Sequence, residues 1–149
     1  MPPILPDTNV WLALALSGHH HHATARDWLA TLDEPASVFF CRATQQSFLR
    51  LLTNAAVLGA YGNAPLTNRQ AWAVYSALLE DDRIRFWPEE PAGLEGRWRE
   101  LAVRDSASPK LWMDAYLAAF VRAGRCRLVT TDGAFRQFSG LDALVLPAD

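Results

Sequence analysis

Ile4-Leu5-Pro6-Asp7-Thr8-Asn9-Val10-Trp11, near the amino terminus, sets a short apolar run directly before a carboxylate and a polar pair. Ile4 and Leu5 read as a short strand that stops at Asp7. Thr8 and Asn9 supply turn and capping chemistry, and Trp11 to Leu16 follow as a helix. The same alternation of strand and helix recurs along the chain. It argues for a parallel α/β layer architecture.

Working outward, Gly18 ends the first helix, and Ala23 to Leu32 reads as a second, with Ala25, Trp28, Leu29 and Leu32 on one stripe. Ser37 to Cys41 is a β-rich run containing Val38, Phe39 and Phe40. A third helix is expected from about Thr44 to Asn54, its apolar spacing carried on by Ala55 and Ala56. Gly59 to Pro65 reads as a loop. Thr67 with Gln70 matches a capping box and announces a helix over Asn68 to about Asp81. Its buried face is Ala71, Val74, Tyr75, Leu78 and Leu79.

Ile84 to Trp87 reads as a short edge strand. Leu94, Trp98, Leu101 and Ala102 pattern another helix, with Glu95–Arg99 and Glu100–Arg104 pairs on its wet side. Ser108-Pro109 predicts the start of a helix that runs to a terminal Gly124. Cys126 to Thr130 and Ala143 to Leu146 are the last strands, with a turn and short helix over Thr131 to Phe138. The count is about five strands and seven helical segments in a single domain spanning residues 1–149.

Composition agrees. The chain has 149 residues, half of them hydrophobic and a fifth charged, which excludes a disordered protein. The longest apolar stretches, Val10 to Leu16 and Ala115 to Val121, fall well short of the ~18 residues of a membrane span. No basic leader is visible, so a cytoplasmic protein is expected. Cys41 and Cys126 can form one bridge at most. Thirteen arginines and Lys110 face 16 acidic residues, so there is no broad positive footprint for duplex nucleic acid.

Most acids sit where solvated acids belong, as in Asp33-Glu34 and Glu89-Glu90. Three do not. Asp7 closes the first strand and Asp132 lies just beyond the fourth, and in open parallel sheets the carboxyl ends of strands line the ligand crevice. Asp114 has Leu111, Leu117, Ala118 and Val121 three, four and seven positions away, which turns it toward the sheet. A carboxylate there costs several kcal/mol unless a cation compensates it. Each acid also has a plain structural role open to it. Asp7 can cap the following helix, Asp132 can close a turn, and Asp114 can pair with an arginine. If the three converge, their repulsion suits a hard cation such as Mg²⁺ or Mn²⁺ rather than zinc.

Asp7-Thr8-Asn9-Val10, Thr44-Gln45-Gln46-Ser47-Phe48-Leu49-Arg50, Trp112-Met113-Asp114-Ala115-Tyr116 and Thr130-Thr131-Asp132-Gly133-Ala134-Phe135 stand in that order along the chain. Together they resemble the PIN-domain family, in particular the VapC-type ribonuclease toxins of bacterial toxin–antitoxin pairs. The resemblance covers essentially the whole chain. It implies a five-stranded parallel sheet of order 3-2-1-4-5, Mg²⁺- or Mn²⁺-dependent endonucleolytic cleavage of RNA, a homodimer and a cognate antitoxin protein. Asp7 and Asp114 match the family's principal metal-binding acids, Asp132 its C-terminal acid, and Asn9 and Thr130 its supporting polar residues. The chain departs from the pattern at Ser47, where many PIN domains carry a glutamate, so a quartet of acids becomes a trio. Ser47, Arg50 and Asn54 share a polar stripe that can meet a phosphate or simply solvent.

Two other readings compete. A degenerate PIN fold would serve as a protein-binding module, as the loss of an acid at Ser47 allows. Haloacid-dehalogenase-like phosphatases also open with a strand ending in aspartate, but the second aspartate they need falls at Asn9. The run His19 to His22 reads as a polar loop with incidental metal affinity. Trp28, Trp72, Trp98 and Trp112 read mostly as core, or alternatively as a partner surface.

Overall fold

β1 (Ile4–Pro6) is buried along its whole length and forms the central strand of the sheet in a computed structural model that describes residues 1–149. It leads into α1 (Thr8–Ala15) and α2 (His22–Ala30). β2 (Val38–Phe40), α3 (Arg42–Leu52), α4 (Ala55–Ala60), α5 (Asn68–Leu79) and β3 (Ile84–Phe86) build one side of the sheet. α6 (Leu94–Ala102), α7 (Leu111–Gly124), β4 (Arg127–Thr130), a 3-10 turn over Gly133–Gln137 and β5 (Ala143–Val145) complete the chain. All pairings are parallel and the order is β3-β2-β1-β4-β5, as expected, with seven α-helices around it.

The register fixes where the site falls. Leu5 pairs with Leu128 and Pro6 with Val129, so the next residues on these neighbouring strands, Asp7 and Thr130, emerge side by side. The Asp7 amide still donates to the Val129 carbonyl at 2.8 Å. Apolar clusters clamp the sheet from both faces. On one side Phe40 stacks on Trp11 with ring centroids 3.8 Å apart, among Phe48, Leu52, Tyr75 and Ile84. On the other, Leu5, Leu128 and Phe135 meet Ala115, Phe120 and Leu94. The Trp11 indole N–H is buried without a partner.

Several boundaries depart from expectation. The third helix stops at Leu52, because the Asn54 side chain accepts from the Val57 amide at 3.0 Å and caps a separate α4, which takes over Ala55 and Ala56 and runs into the start of the stretch read as a loop. Ser108 does not cap α7; a turn over Pro109 and Lys110 intervenes. Gly124 remains helical, and Arg125 takes the left-handed conformation at φ +52° instead. Neither expected pair on α6 forms an ion pair, and Arg104 donates to Gln137 instead. Trp72 and Trp112 are more than half exposed rather than core. The Thr67–Gln70 capping box forms as read, with both of its hydrogen bonds in place.

The histidine run is not a loose polar loop. His19 is buried, stacks on Tyr61 at 4.5 Å, and accepts from the His21 amide through Nδ1. Burial, together with His21 and His20, lowers its pKa to about 4, so it stays neutral near pH 7. His22 Nδ1 meets the Ala13 carbonyl at 2.7 Å. The Asp149 carboxylate accepts from the Ala23 and Thr24 amides and the Thr24 hydroxyl, securing the start of α2. Gly18 lies so close to this cluster that a Cβ on it would sit 2.6 Å from the Tyr61 carbonyl oxygen. No helix is long and apolar enough to cross a membrane, and Cys41 and Cys126 are both free thiols.

Candidate active site

Thr130, fully buried at the end of β4, ties two of the acids together. Its hydroxyl donates to Asp7 Oδ2 at 2.9 Å and accepts from the Asp132 amide at 3.0 Å. Asp7 therefore does not act as a side-chain cap for α1, although it stands at the capping position. Burial raises its pKa, opposed by the Thr130 hydroxyl and the Thr8 backbone and reinforced by the charge of Asp132. Asp132 is exposed and does close a turn, since its Oδ1 accepts from the Ala134 amide at 2.8 Å. The turn role and a place at the rim coexist.

Asp114 enters from the first turn of α7, half-buried. Its pKa is pushed up to about 6, first by burial and then by the charges of Asp7 and Asp132, with Lys110 pulling the other way. None of the three acids forms an ion pair, so the arginine partner allowed for Asp114 is absent. The carboxylates thus share one electrostatic field at the carboxyl ends of β1 and β4. They do not close into a formed cage: no group of three or more His, Cys, Asp or Glu side chains stands ready to hold a metal ion anywhere in the chain. Asp132 is held by its turn, through the Ala134 amide.

The supporting residues divide. Asn9 is exposed in the first turn of α1, one residue removed from Asp7. Ser47 is half-buried in α3 and makes no hydrogen bond to the acids. Arg50 lines a different cavity, between α3 and α5, with Leu49, Ala71 and Trp72. Sequence reasoning missed a further cavity past the ends of β2 and β3, where Tyr116 and Glu90 meet. The only clue to it was Tyr116, two positions beyond Asp114.

An all-parallel sheet of order β3-β2-β1-β4-β5 with aspartates after β1 and β4 defines a PIN-type α/β domain. A family model described as PIN domain matches residues 4–141, and the chain belongs to that family, among its VapC-type members. It is 62% identical over 143 residues to Ribonuclease VapC41 of Mycobacterium tuberculosis, covering 96% of this chain and 98% of that protein. The fold superposes on the crystal structure of M. tuberculosis VapC20, described as a sarcin-ricin loop cleaving toxin. There the TM-score is 0.64 at 23% identity, over 97% of this chain and 99% of that one. VapBC2 from Rickettsia felis, bound to a promoter DNA fragment, gives a TM-score of 0.64 at 13% identity, over 96% and 98% of the two chains. The phosphatase reading falls with the family match.

Proposed function

We propose that this protein is a divalent-metal-dependent endoribonuclease, the toxin of a toxin–antitoxin pair, acting in the cytoplasm. The observation that carries the proposal is that Thr130 joins Asp7 to the backbone of Asp132 at the ends of β1 and β4, with Asp114 within reach of both their charges and no cationic side chain paired to any of the three. The 62% identity to a named ribonuclease over nearly the whole chain supports it. The donor set, carboxylate oxygens with no thiolate or imidazole among them, fits Mg²⁺ or Mn²⁺. Asp7 and Asp114 would hold the ion, with Asp132 alongside, and a bound cation supplies Lewis acidity at the phosphate.

The chain's own residues do the rest. Thr130 holds Asp7 by its hydroxyl and Asp132 by the backbone, so two acids move as one unit. Asp132 spends Oδ1 on Ala134 and keeps Oδ2 free to orient the attacking water or take its proton. Asn9, exposed beside Asp7, is placed to contact a phosphate or a water. The products are then a 5′-phosphate and a 3′-hydroxyl. Ser47 and Arg50 receive no role in this chemistry. The reading includes a homodimer and a cognate antitoxin, and the exposed Trp72 and Trp112 are surface that such partners would cover.

One observation favours the second reading, a protein-binding PIN module: Ser47 contributes no charge where the family pattern has an acid, and no formed cage of ligands exists. Cleavage assays separate the two. Purified protein is expected to cut single-stranded RNA in Mg²⁺ or Mn²⁺, to stop on chelation with EDTA, and to resume when Mn²⁺ is restored. Cutting that persists in EDTA contradicts metal dependence. Intact RNA under every condition favours the binding module.

A further inference from the structure

The cavity past the ends of β2 and β3 has a volume of about 510 Å³, within the range of small-ligand sites. Cys41 follows β2 as Asp7 follows β1, and Trp87 follows β3, so the cavity lies on the same rim as the acids. Neighbouring strands are about 4.8 Å apart, and the backbone at Cys41 and Trp87 lies one and two strands from Asp7. Tyr116, two residues beyond Asp114 on α7 and therefore about 200° round the helix from it, also lines the cavity.

Its lining is aromatic and acidic. The Tyr116 hydroxyl donates to Glu90 Oε2 at 2.6 Å, and the Tyr116 ring is held edge-on by Trp98 at 5.7 Å. Glu90 Oε1 has no partner in the chain. Trp87 is half-buried and fixed edge-on against Phe120 at 5.2 Å. Arg42 is the cation of the cavity, and it is already engaged. Its guanidinium lies 4.4 Å over the Phe86 ring and donates to Gln45 at 2.6 Å. Glu89 and Glu90 outweigh it, so the cavity is unsuited to a phosphate.

We propose that this cavity is a subsite for one unpaired nucleobase flanking the cleaved phosphate, a base that carries an exocyclic amine. This rests on the endoribonuclease reading above. A base stacks on the Tyr116 or Trp87 ring, as unpaired bases do on aromatic side chains. The free oxygen of Glu90, held in place by Tyr116, accepts the amine hydrogen of cytosine, adenine or guanine. Uracil offers a carbonyl there instead and is disfavoured.

The test is cleavage of an oligoribonucleotide set that differs only at positions flanking the cut, by native protein, Glu90→Gln and Tyr116→Phe. Native protein should disfavour uridine at one flanking position by about fivefold or more, the lower end of what one base-edge contact discriminates. Glu90→Gln, whose amide can donate to uracil, should bring that ratio near one. Tyr116→Phe should shrink it in the same direction by freeing Glu90. Glu90 is exposed and makes a single hydrogen bond, so its substitution does not threaten the fold. If native protein cuts RNA and the ratio is the same in all three proteins, the subsite is wrong while the activity stands. If Glu90→Gln leaves the ratio unchanged but weakens binding of the cognate antitoxin, the cavity is a peptide site and the base assignment fails. If native protein cuts no RNA, the endoribonuclease reading falls and the subsite with it.

Discussion

Asp114→Asn is expected to lower RNA cleavage by more than about 100-fold, since substitutions one shell further from a metal already cost up to about that much. It is also expected to make the metal-free protein more stable near neutral pH. The sign follows from the folded protein holding the Asp114 proton more tightly than the unfolded chain, with a pKa about 6 against 3.8. That preference stabilises the fold at pH below 3.8 and is lost as pH rises through about 6, where the folded state must ionise Asp114 beside Asp7 and Asp132. Removing the charge relieves this. Because Asp114 is only half-buried, solvent screening reduces the gain to about 1 kcal/mol. Urea denaturation at about pH 7.5 and pH 4, in EDTA, measures it. A variant that keeps full cleavage, or that is equally destabilised at both pH values, contradicts a role for Asp114 as an uncompensated site carboxylate.

Phe40→Ala is expected to cost about 3–5 kcal/mol, a large share of the roughly 5–15 kcal/mol that holds such a domain together. Phe40 is completely buried at the end of β2, stacked on Trp11 and in edge or tilted contact with Phe48 and Tyr75. The hole would open between α1, α3 and α5, and three rigid rings around it leave little scope for collapse. The urea midpoint should fall sharply at constant slope. A loss below about 1 kcal/mol would show that this aromatic cluster is not the anchor of its side of the sheet.

What could be read from the sequence was governed by local chemistry. Asp7 at the end of an apolar run, the Thr67–Gln70 box and the apolar neighbours of Asp114 each settle their own surroundings within a few residues, and each is found as read. The misreadings lie where distant partners decide. The apolar spacing of α3 runs on through Ala55 and Ala56, yet one Asn54 cap breaks it. His19 is buried because Tyr61, forty-two residues away, lies flat against it. Glu90 reads as a solvated acid until Tyr116, twenty-six residues on, donates to it. Trp72 and Trp112 fit helical stripes but face solvent, because a spacing pattern does not say which neighbours arrive to cover a face. The absence of a closed set of ligands was equally hidden: proximity at a rim follows from strand order, whereas the placement of the Asp7 and Asp132 carboxylates depends on Thr130 and on the Ala134 turn.

Crystals soaked in Mn²⁺ and measured for anomalous scattering address the shared dependence of all this on one bound ion. A peak bounded by the oxygens of Asp7 and Asp114, with Asp132 drawn toward it and the peak gone in Asp114→Asn, is the predicted result. A peak confined to His19–His22, or none at the sheet rim under saturating Mn²⁺, would contradict it.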